Sequence, residues 1–371
     1  LILSGFLSLT GCNGKNDEPR APVFQGEIKV GILHSRSGTM AFSEGAAAEG
    51  EALAIEEINS KGGLLIAGKR LKIVPIEEDG ESDPKVFAEK ARKLIEVDQV
   101  SVVFGGWTSA SRKSMLPVFE DKNHLLFYPI QYEGEECSPN IFYGGMTPNQ
   151  QIEPAIEWLI RNKGQRFYLI GSDYVFPRTA NVVVRNEVTT QGGAVLGERY
   201  IPLGSMEMDK TMEAIRSALP EGGILINTLN GDSNLAFFKA LKRNYLTPAN
   251  GYLTMSFSIA EQEAAEIGTE YLEGTYATWS FFQSLDTPAS RRFTKAYKYR
   301  FGSKRVTSDP SESGYTLVHL WAAGVEKAGS FDAGELQSDG LFSIVANNGV
   351  IEPKTWNESF RSGNTEDCEP N

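Results

Sequence analysis

Histidine, basic stretches and long apolar runs are what this sequence has least of. Of its 371 residues only three are histidines, His34, His124 and His319, and none stands at the H-x-x-x-H spacing that presents two imidazoles to one metal ion. Each reads as a structural or surface residue. The 36 Lys and Arg are outnumbered by 48 Asp and Glu, a formal charge of −12 without any basic run. That excludes a surface which gathers phosphates by counterion release, and nucleic acid is not an expected partner. After the N-terminal residues no apolar stretch approaches the ~20 residues that span a bilayer. No G-x-S-x-G or G-x-x-x-x-G-K-[ST] motif is present, and the first strand runs into His34-Ser35-Arg36-Ser37-Gly38-Thr39, without the glycine spacing of a dinucleotide site. The segment Glu77-Glu78-Asp79-Gly80-Glu81-Ser82-Asp83 is rich in carboxylates but lacks EF-hand spacing, so it reads as a solvated acidic turn. No catalytic residue, metal or cofactor is expected: the chain reads as a binder and not an enzyme.

What is present begins with an N-terminal segment of a different character. Residues 1–12, LILSGFLSLTGC, form an apolar stretch ending in small residues and Cys12, and the composition then turns abruptly polar. That is the pattern of a secretory segment meeting its cleavage site, followed by a tether over 13–25. The tetrad Leu9-Thr10-Gly11-Cys12 resembles the lipobox of bacterial lipoproteins, which implies acylation of Cys12 and a periplasmic, membrane-anchored protein. Export places the other two cysteines, Cys137 and Cys368, in an oxidising compartment, either as a disulfide or as two free thiols.

The body alternates strand and helix. Strands are expected at 27–33, 71–76, 100–104, 124–128 and 140–143, with helices at 45–61, 84–97 and 111–122 between them. From about Thr147 the pattern restarts, with helices at 150–163, 178–191, 208–219 and 232–244 and strands at 166–171, 194–201, 223–228 and 251–255. A strand at 274–277, helices at 288–301 and 311–328 and a last strand at 342–345 follow. This alternation predicts an α/β fold of two Rossmann-like lobes with parallel sheets joined by a multi-strand hinge. One lobe is expected to comprise 26–147 plus 275–330, the other 148–274 plus 336–366.

Ligands of open α/β sheets bind beyond the carboxyl ends of the strands. Those ends carry Trp107-Thr108-Ser109, Tyr128 to Tyr132, Ser172-Asp173-Tyr174, Leu229-Asn230 and Ser256-Phe257-Ser258. Aromatic rings beside hydroxyls and amides suit a small, flat, polar and uncharged ligand.

At these residues the sequence resembles the type I periplasmic binding proteins of ABC importers, the branched-chain amino acid-binding family, and within it the branch that serves urea and short-chain amides. The resemblance runs through GILHSRSGTMAFSE (31–44), GGWTSASRK (105–113), LLFYPIQYEGEE (125–136), SPNIFYGG (138–145), GSDYVFPRTAN (171–181) and SFSIAE (256–261). It implies two lobes that close on a ligand and deliver it to membrane permease subunits. Carried over motif by motif, Trp107 is an expected ring wall and Ser109 a hydroxyl contact. Tyr128 and Gln131 would meet the ligand amide, and Asp173, Tyr174 and Phe176 would close from the second lobe. Asn230 and Ser256 join them by strand-end position. Ile130-Gln131, where amide binders can carry Thr-Pro, favours urea. A branched-chain amino acid or short amide receptor, and a cytoplasmic amide-sensing regulator, are the alternative readings. In the family a longer stretch precedes the terminal strand, whereas here Phe331 to Leu336 runs almost directly into SDGLFSIV.

Overall fold

The computed structural model describes residues 22–337. Cys12, Cys368 and the expected strand at 342–345 lie outside them. Cys137 is disulfide-bonded.

The first lobe follows in order β1 (Gly26–His34), α1 (Ala41–Ser60), β2 (Leu64–Ile66), β3 (Lys69–Asp79), α2 (Pro84–Glu96), β4 (Val103–Gly105), α3 (Ser109–Asp121), β5 (Leu126–Tyr128) and β6 (Ile141–Tyr143). Its sheet has the order β2-β3-β1-β4-β5-β6, parallel except for the β2–β3 pair. The second lobe is α4 (Pro148–Asn162), β7 (Arg166–Ser172), α5 (Val175–Thr190), β8 (Ala194–Ile201), α6 (Asp209–Ala218), β9 (Gly223–Thr228), α7 (Asp232–Arg243), β10 (Tyr252–Ser256), α8 (Glu261–Ile267), α9 (Thr269–Leu272) and β11 (Thr275–Ala277). Its parallel sheet has the order β11-β10-β9-β7-β8. Setting the β2 hairpin aside, both sheets run second-first-third-fourth-fifth strand. The order therefore reverses between β1 and β4 in one lobe and between β7 and β9 in the other, where doubly wound sheets open a crevice.

Local chemistry explains where the elements begin. Asp83 accepts from the N–H groups of Lys85 and Val86 ahead of Pro84, and Thr287 likewise caps the later helix Pro288–Phe301 by accepting from the Ser290 N–H. A capping side chain followed by a proline already held at helical φ is a strong helix start. The antiparallel β2 is an element that strand-helix alternation does not foresee. Ala67 and Gly68, both at positive φ, join it to β3 in a two-residue turn.

After β11 the chain returns to the first lobe as α10 (Pro288–Phe301), α11 (Asp309–Ala328) and α12 (Ala333–Leu336). Since β11 pairs with β10, the crossing follows Ala277, three residues later than the expected boundary at 274/275. Helix α11 lies almost in contact with α1: a Cβ on Gly50 would fall 2.0 Å from the Ser311 carbonyl oxygen. Arg300 on α10 forks onto Glu56 of α1 at 2.6 and 2.7 Å. Each sheet is covered on both faces by apolar clusters, with Trp321 central to one in the first lobe and Phe237 to one in the second. Leu336 of α12 is buried against the first of these. Among the described residues no helix is long and apolar enough to cross a membrane.

Candidate functional site

The carboxyl ends of the two sheets face one another, and the cleft between them is bridged directly. Trp107 Nε1 donates to Asn230 Oδ1 at 3.3 Å, and Asn230 Nδ2 donates to the Tyr174 hydroxyl at 2.9 Å. Gln131 Nε2 donates to the Phe257 carbonyl at 2.9 Å. Trp107 reaches this position because Gly105 and Gly106, at φ +139° and +82°, turn the chain off the end of β4, where a Cβ on Gly105 would lie 2.0 Å from the Leu33 carbonyl oxygen. Thr108 then caps α3.

Other expected contacts have different roles. Tyr128 is fully buried and its hydroxyl donates to the Trp107 carbonyl, so it holds the Trp107 loop from behind. Ser109 Oγ accepts from Arg112 Nη1 at 3.0 Å, and Ser256 Oγ accepts from Asn227 Nδ2 at 3.1 Å, tying β9 to β10. Two expectations are corrected. Phe176 packs in the second lobe's core among α4, α5 and the sheet, and Asp173 is half-exposed and paired with Arg178 at 2.7 Å.

The charged members of the site escaped the sequence reading. Arg112, with no exposed surface, donates through Nε to Glu136 Oε1 at 2.7 Å and through Nη2 to Glu133 Oε1 at 3.0 Å, and its guanidinium stands 5.0 and 5.1 Å from the ring centres of Tyr128 and Tyr132. Burial opposes ionisation of Glu136, but the hydrogen bonds and charge of Arg112, with Lys113 and the Tyr143 hydroxyl, outweigh it and hold the carboxyl down at about 2. The signal for them lay inside SASRK and QYEGEE, charged residues set among small and aromatic ones.

His34 is likewise a member, fully buried with Nε2 2.9 Å from Glu51 Oε1 and Nδ1 3.6 Å from Glu44 Oε2. The acidic turn at 77–83 is engaged by protein donors: Asp79 accepts from the N–H groups of Arg36 and Glu81, and Glu78 pairs with Lys90 and Lys93. Among the described residues no group of His, Cys, Asp and Glu is arranged to hold a metal ion.

Burial pushes the Tyr174 phenol well above its ordinary value, with Tyr128, Glu133 and Glu44 adding to the effect, so two first-lobe carboxylates lie within electrostatic reach of this second-lobe hydroxyl. Tyr174 therefore stays a proton donor. Glu44 Oε1, Gln131 Oε1 and Glu133 Oε2 are buried without a hydrogen-bond partner. A buried acceptor left unpaired costs ~1–3 kcal/mol.

Comparison with known proteins fits this geometry. Residues 28–351 match the family model described as a periplasmic binding protein domain. The chain belongs to that family. It is 22% identical over 341 residues to the Leu/Ile/Val-binding protein BraC3 of Rhizobium johnstonii, covering 86% of this chain and 85% of that one. It is 25% identical over 329 residues to Leu/Ile/Val-binding protein homolog 7 of Brucella abortus, covering 83% and 79%. Among solved structures, a periplasmic binding protein from Burkholderia mallei superposes with a TM-score of 0.74 at 21% identity, covering 84% of this chain and 81% of that one. The branched-chain amino acid transporter substrate-binding protein LivJ from Streptococcus pneumoniae, in complex with isoleucine, gives 0.73 at 18% identity, covering 85% and 87%. These likenesses confirm the two-lobed α/β fold with parallel sheets.

One further contact joins the two lobes. The Asp232 N–H, at the start of α7, donates to Thr39 Oγ1 of the first lobe at 3.0 Å, and Cβ atoms on Gly204 and Gly231 would lie 2.9 and 2.7 Å from that oxygen. Thr39 thus seats in a notch that only glycines leave open. Thr39→Val keeps the shape and removes the acceptor, so it is expected to weaken ligand affinity about three- to tenfold without touching the ligand, as measured by isothermal titration.

Proposed function

We propose that the protein is the extracytoplasmic substrate-binding component of an ABC importer, and that it carries urea, or a short amide with the same donor-rich edge, to the membrane permease. The observation that carries the ligand class is the trio of buried, unpartnered acceptors, Glu44 Oε1, Gln131 Oε1 and Glu133 Oε2, in a cleft whose other wall offers the Tyr174 hydroxyl. Urea meets that pattern with four N–H donors and one carbonyl oxygen in a plane, beside the Trp107 ring. Direct bridging of the lobes by Trp107–Asn230 and Gln131–Phe257 favours a ligand of few atoms. With four heavy atoms at a ceiling of ~1.5 kcal/mol each, its affinity is bounded near ~−6 kcal/mol, or tens of micromolar.

The second reading, a branched-chain amino acid, is favoured by the names of the relatives. Against it, an amino acid brings its own carboxylate into a cleft whose unpartnered oxygens are acceptors and whose Glu44 and Glu133 are acidic. Isothermal titration with urea, acetamide and leucine separates the two. Heat with urea, lost by at least about tenfold in Trp107→Ala, is the expected result. Binding of leucine with none of urea would overturn the ligand assignment. The proposal includes a lipid tether at Cys12, checked by mass spectrometry of the protein recovered from membranes, where a diacylglyceryl adduct on that residue is expected.

A further inference from the structure

We infer that Glu44 is a specificity-determining contact, accepting from the second amino group of urea, and that His34 is the positioning residue which fixes the carboxylate oxygen offered. The inference rests on the urea reading and assigns a selectivity to one side of the cleft.

The geometry is built by two elements. Strand β1 delivers His34 and Ser35 to its carboxyl end at the point where the strand order reverses. Helix α1 then passes over that end, and Glu44 and Glu51, seven residues or about two turns apart, share the face that looks down on it. Glu51 Oε1 takes His34 Nε2 at 2.9 Å, which fixes the imidazole from behind. The ring's Nδ1 then stands 3.6 Å from Glu44 Oε2, which also accepts the Ser35 N–H at 2.6 Å. The Ser35 N–H thus holds one oxygen of Glu44, and the imidazole stands beside that oxygen as a charge partner, its Nδ1 making no hydrogen bond of its own. The other, Oε1, is left buried and without a partner.

A carboxylate buried in this way needs compensation, and a lone charge here would be costly. The neighbouring groups are few: His34 and Glu51 from within, Glu133 on the same lobe, Tyr174 across the cleft, and Glu263 of α8, which bonds Ser43 beside it. Only His34 brings positive charge in direct contact. Tyr174 completes the arrangement, because its hydroxyl accepts from Asn230 Nδ2 and keeps its own proton to give to a carbonyl oxygen. Glu44, Glu51, Glu133 and Glu263 each keep a buried oxygen without a partner, and of these Glu44 and Glu133 are the two that act on the Tyr174 hydroxyl, so they are matched here to two amino groups. Acetamide has one amino group and a methyl in place of the other, so against it one carboxylate oxygen stays unpaired and buried.

The test is the ratio of urea to acetamide affinity, read by isothermal titration on the parent protein, Glu44→Gln, His34→Gln and Glu51→Gln. The parent is expected to prefer urea. Glu44→Gln should lose urea binding by about ten- to hundredfold while acetamide binding holds, so that the ratio collapses. His34→Gln and Glu51→Gln, which do not touch ligand, should move the ratio in the same direction by less, and the His34→Gln change should vanish in a Glu44→Gln background. A purely structural role would weaken both ligands together and leave the ratio alone. Glu44→Asp, which keeps the charge and withdraws the oxygen by one methylene, takes the place of Glu44→Gln if that variant does not fold. A parent that binds urea while the Glu44 variants keep its ratio overturns this inference alone. A parent that binds no urea overturns the ligand reading and this inference with it.

Discussion

Replacing Arg112 by Met is expected to destabilise the first lobe by about 3–5 kcal/mol, the cost of leaving buried carboxylates without their cation. Arg112 is fully buried, and its guanidinium joins Ser109, Glu133 and Glu136 at 2.7 to 3.2 Å beneath Tyr128 and Tyr132. Methionine restores most of the volume but none of the charge. Lys113, 2.6 Å from Glu136 Oε2 and 3.4 Å from Glu133 Oε1, is half-exposed and compensates only in part. Arg112→Lys should fall between the two, because an ammonium cannot fork onto both carboxylates while also donating to Ser109. The sign with pH follows from Glu136, whose pKa of about 2 lies below its ordinary 4.5. Its stabilising contribution is present above pH 4.5 and is lost as pH falls towards 2. Guanidinium chloride denaturation at pH 7 and pH 3 measures both effects, with a denaturant that is not the proposed ligand. An Arg112→Met midpoint equal to that of the parent would show that the cluster is not held by this cation.

The second large effect concerns His34 on the alkaline side. Burial works against its protonated form, yet the charges and hydrogen bonds of Glu51 and Glu44 prevail and raise its pKa from 6.5 to about 9. A group raised in this way contributes its full stability below pH 6.5 and loses it as pH climbs through 9. At 1.36 kcal/mol per unit the loss amounts to about 3 kcal/mol. The other two histidines do not confuse the reading. Burial depresses both, His319 to about 4, so in the folded protein they are already neutral in this window. A denaturation series from pH 6.5 to 9.5 should therefore decline in the parent and lie flatter in His34→Gln. A parent curve as flat as the variant's would mean that the imidazole is not charged in the folded state.

The two histidine-bearing predictions, this one and the selectivity test, show how unevenly the site was legible. Strand ends carrying Trp107, Gln131, Tyr174 and Asn230 could be read from the sequence, because the period of strands and helices is local and the rule that ligands sit beyond strand carboxyl ends needs only the order of elements. The same rule misjudged Phe176. Tyr174 stands just before α5 and keeps an extended conformation facing the cleft. Phe176, two residues further on and ~200° around the helix, turns into the core. Asp173 was lost to a neighbour, since Arg178 offers it an exposed partner one helical turn away.

By itself the sequence determined the alternation of strand and helix, the two parallel sheets, the restart near Thr147 and the aromatic and amide character of the cleft. Each of these depends on residues close together in the chain. The tertiary structure alone decided which charges meet. Arg112 finds Glu133 and Glu136 from 21 and 24 residues away, and His34 finds Glu44 and Glu51 only because α1 folds back over the end of β1. In a linear reading those groups look like solvated surface charge. Burial makes them the most constrained atoms in the site, because inside the fold a charge must be paired and hydrogen-bonded.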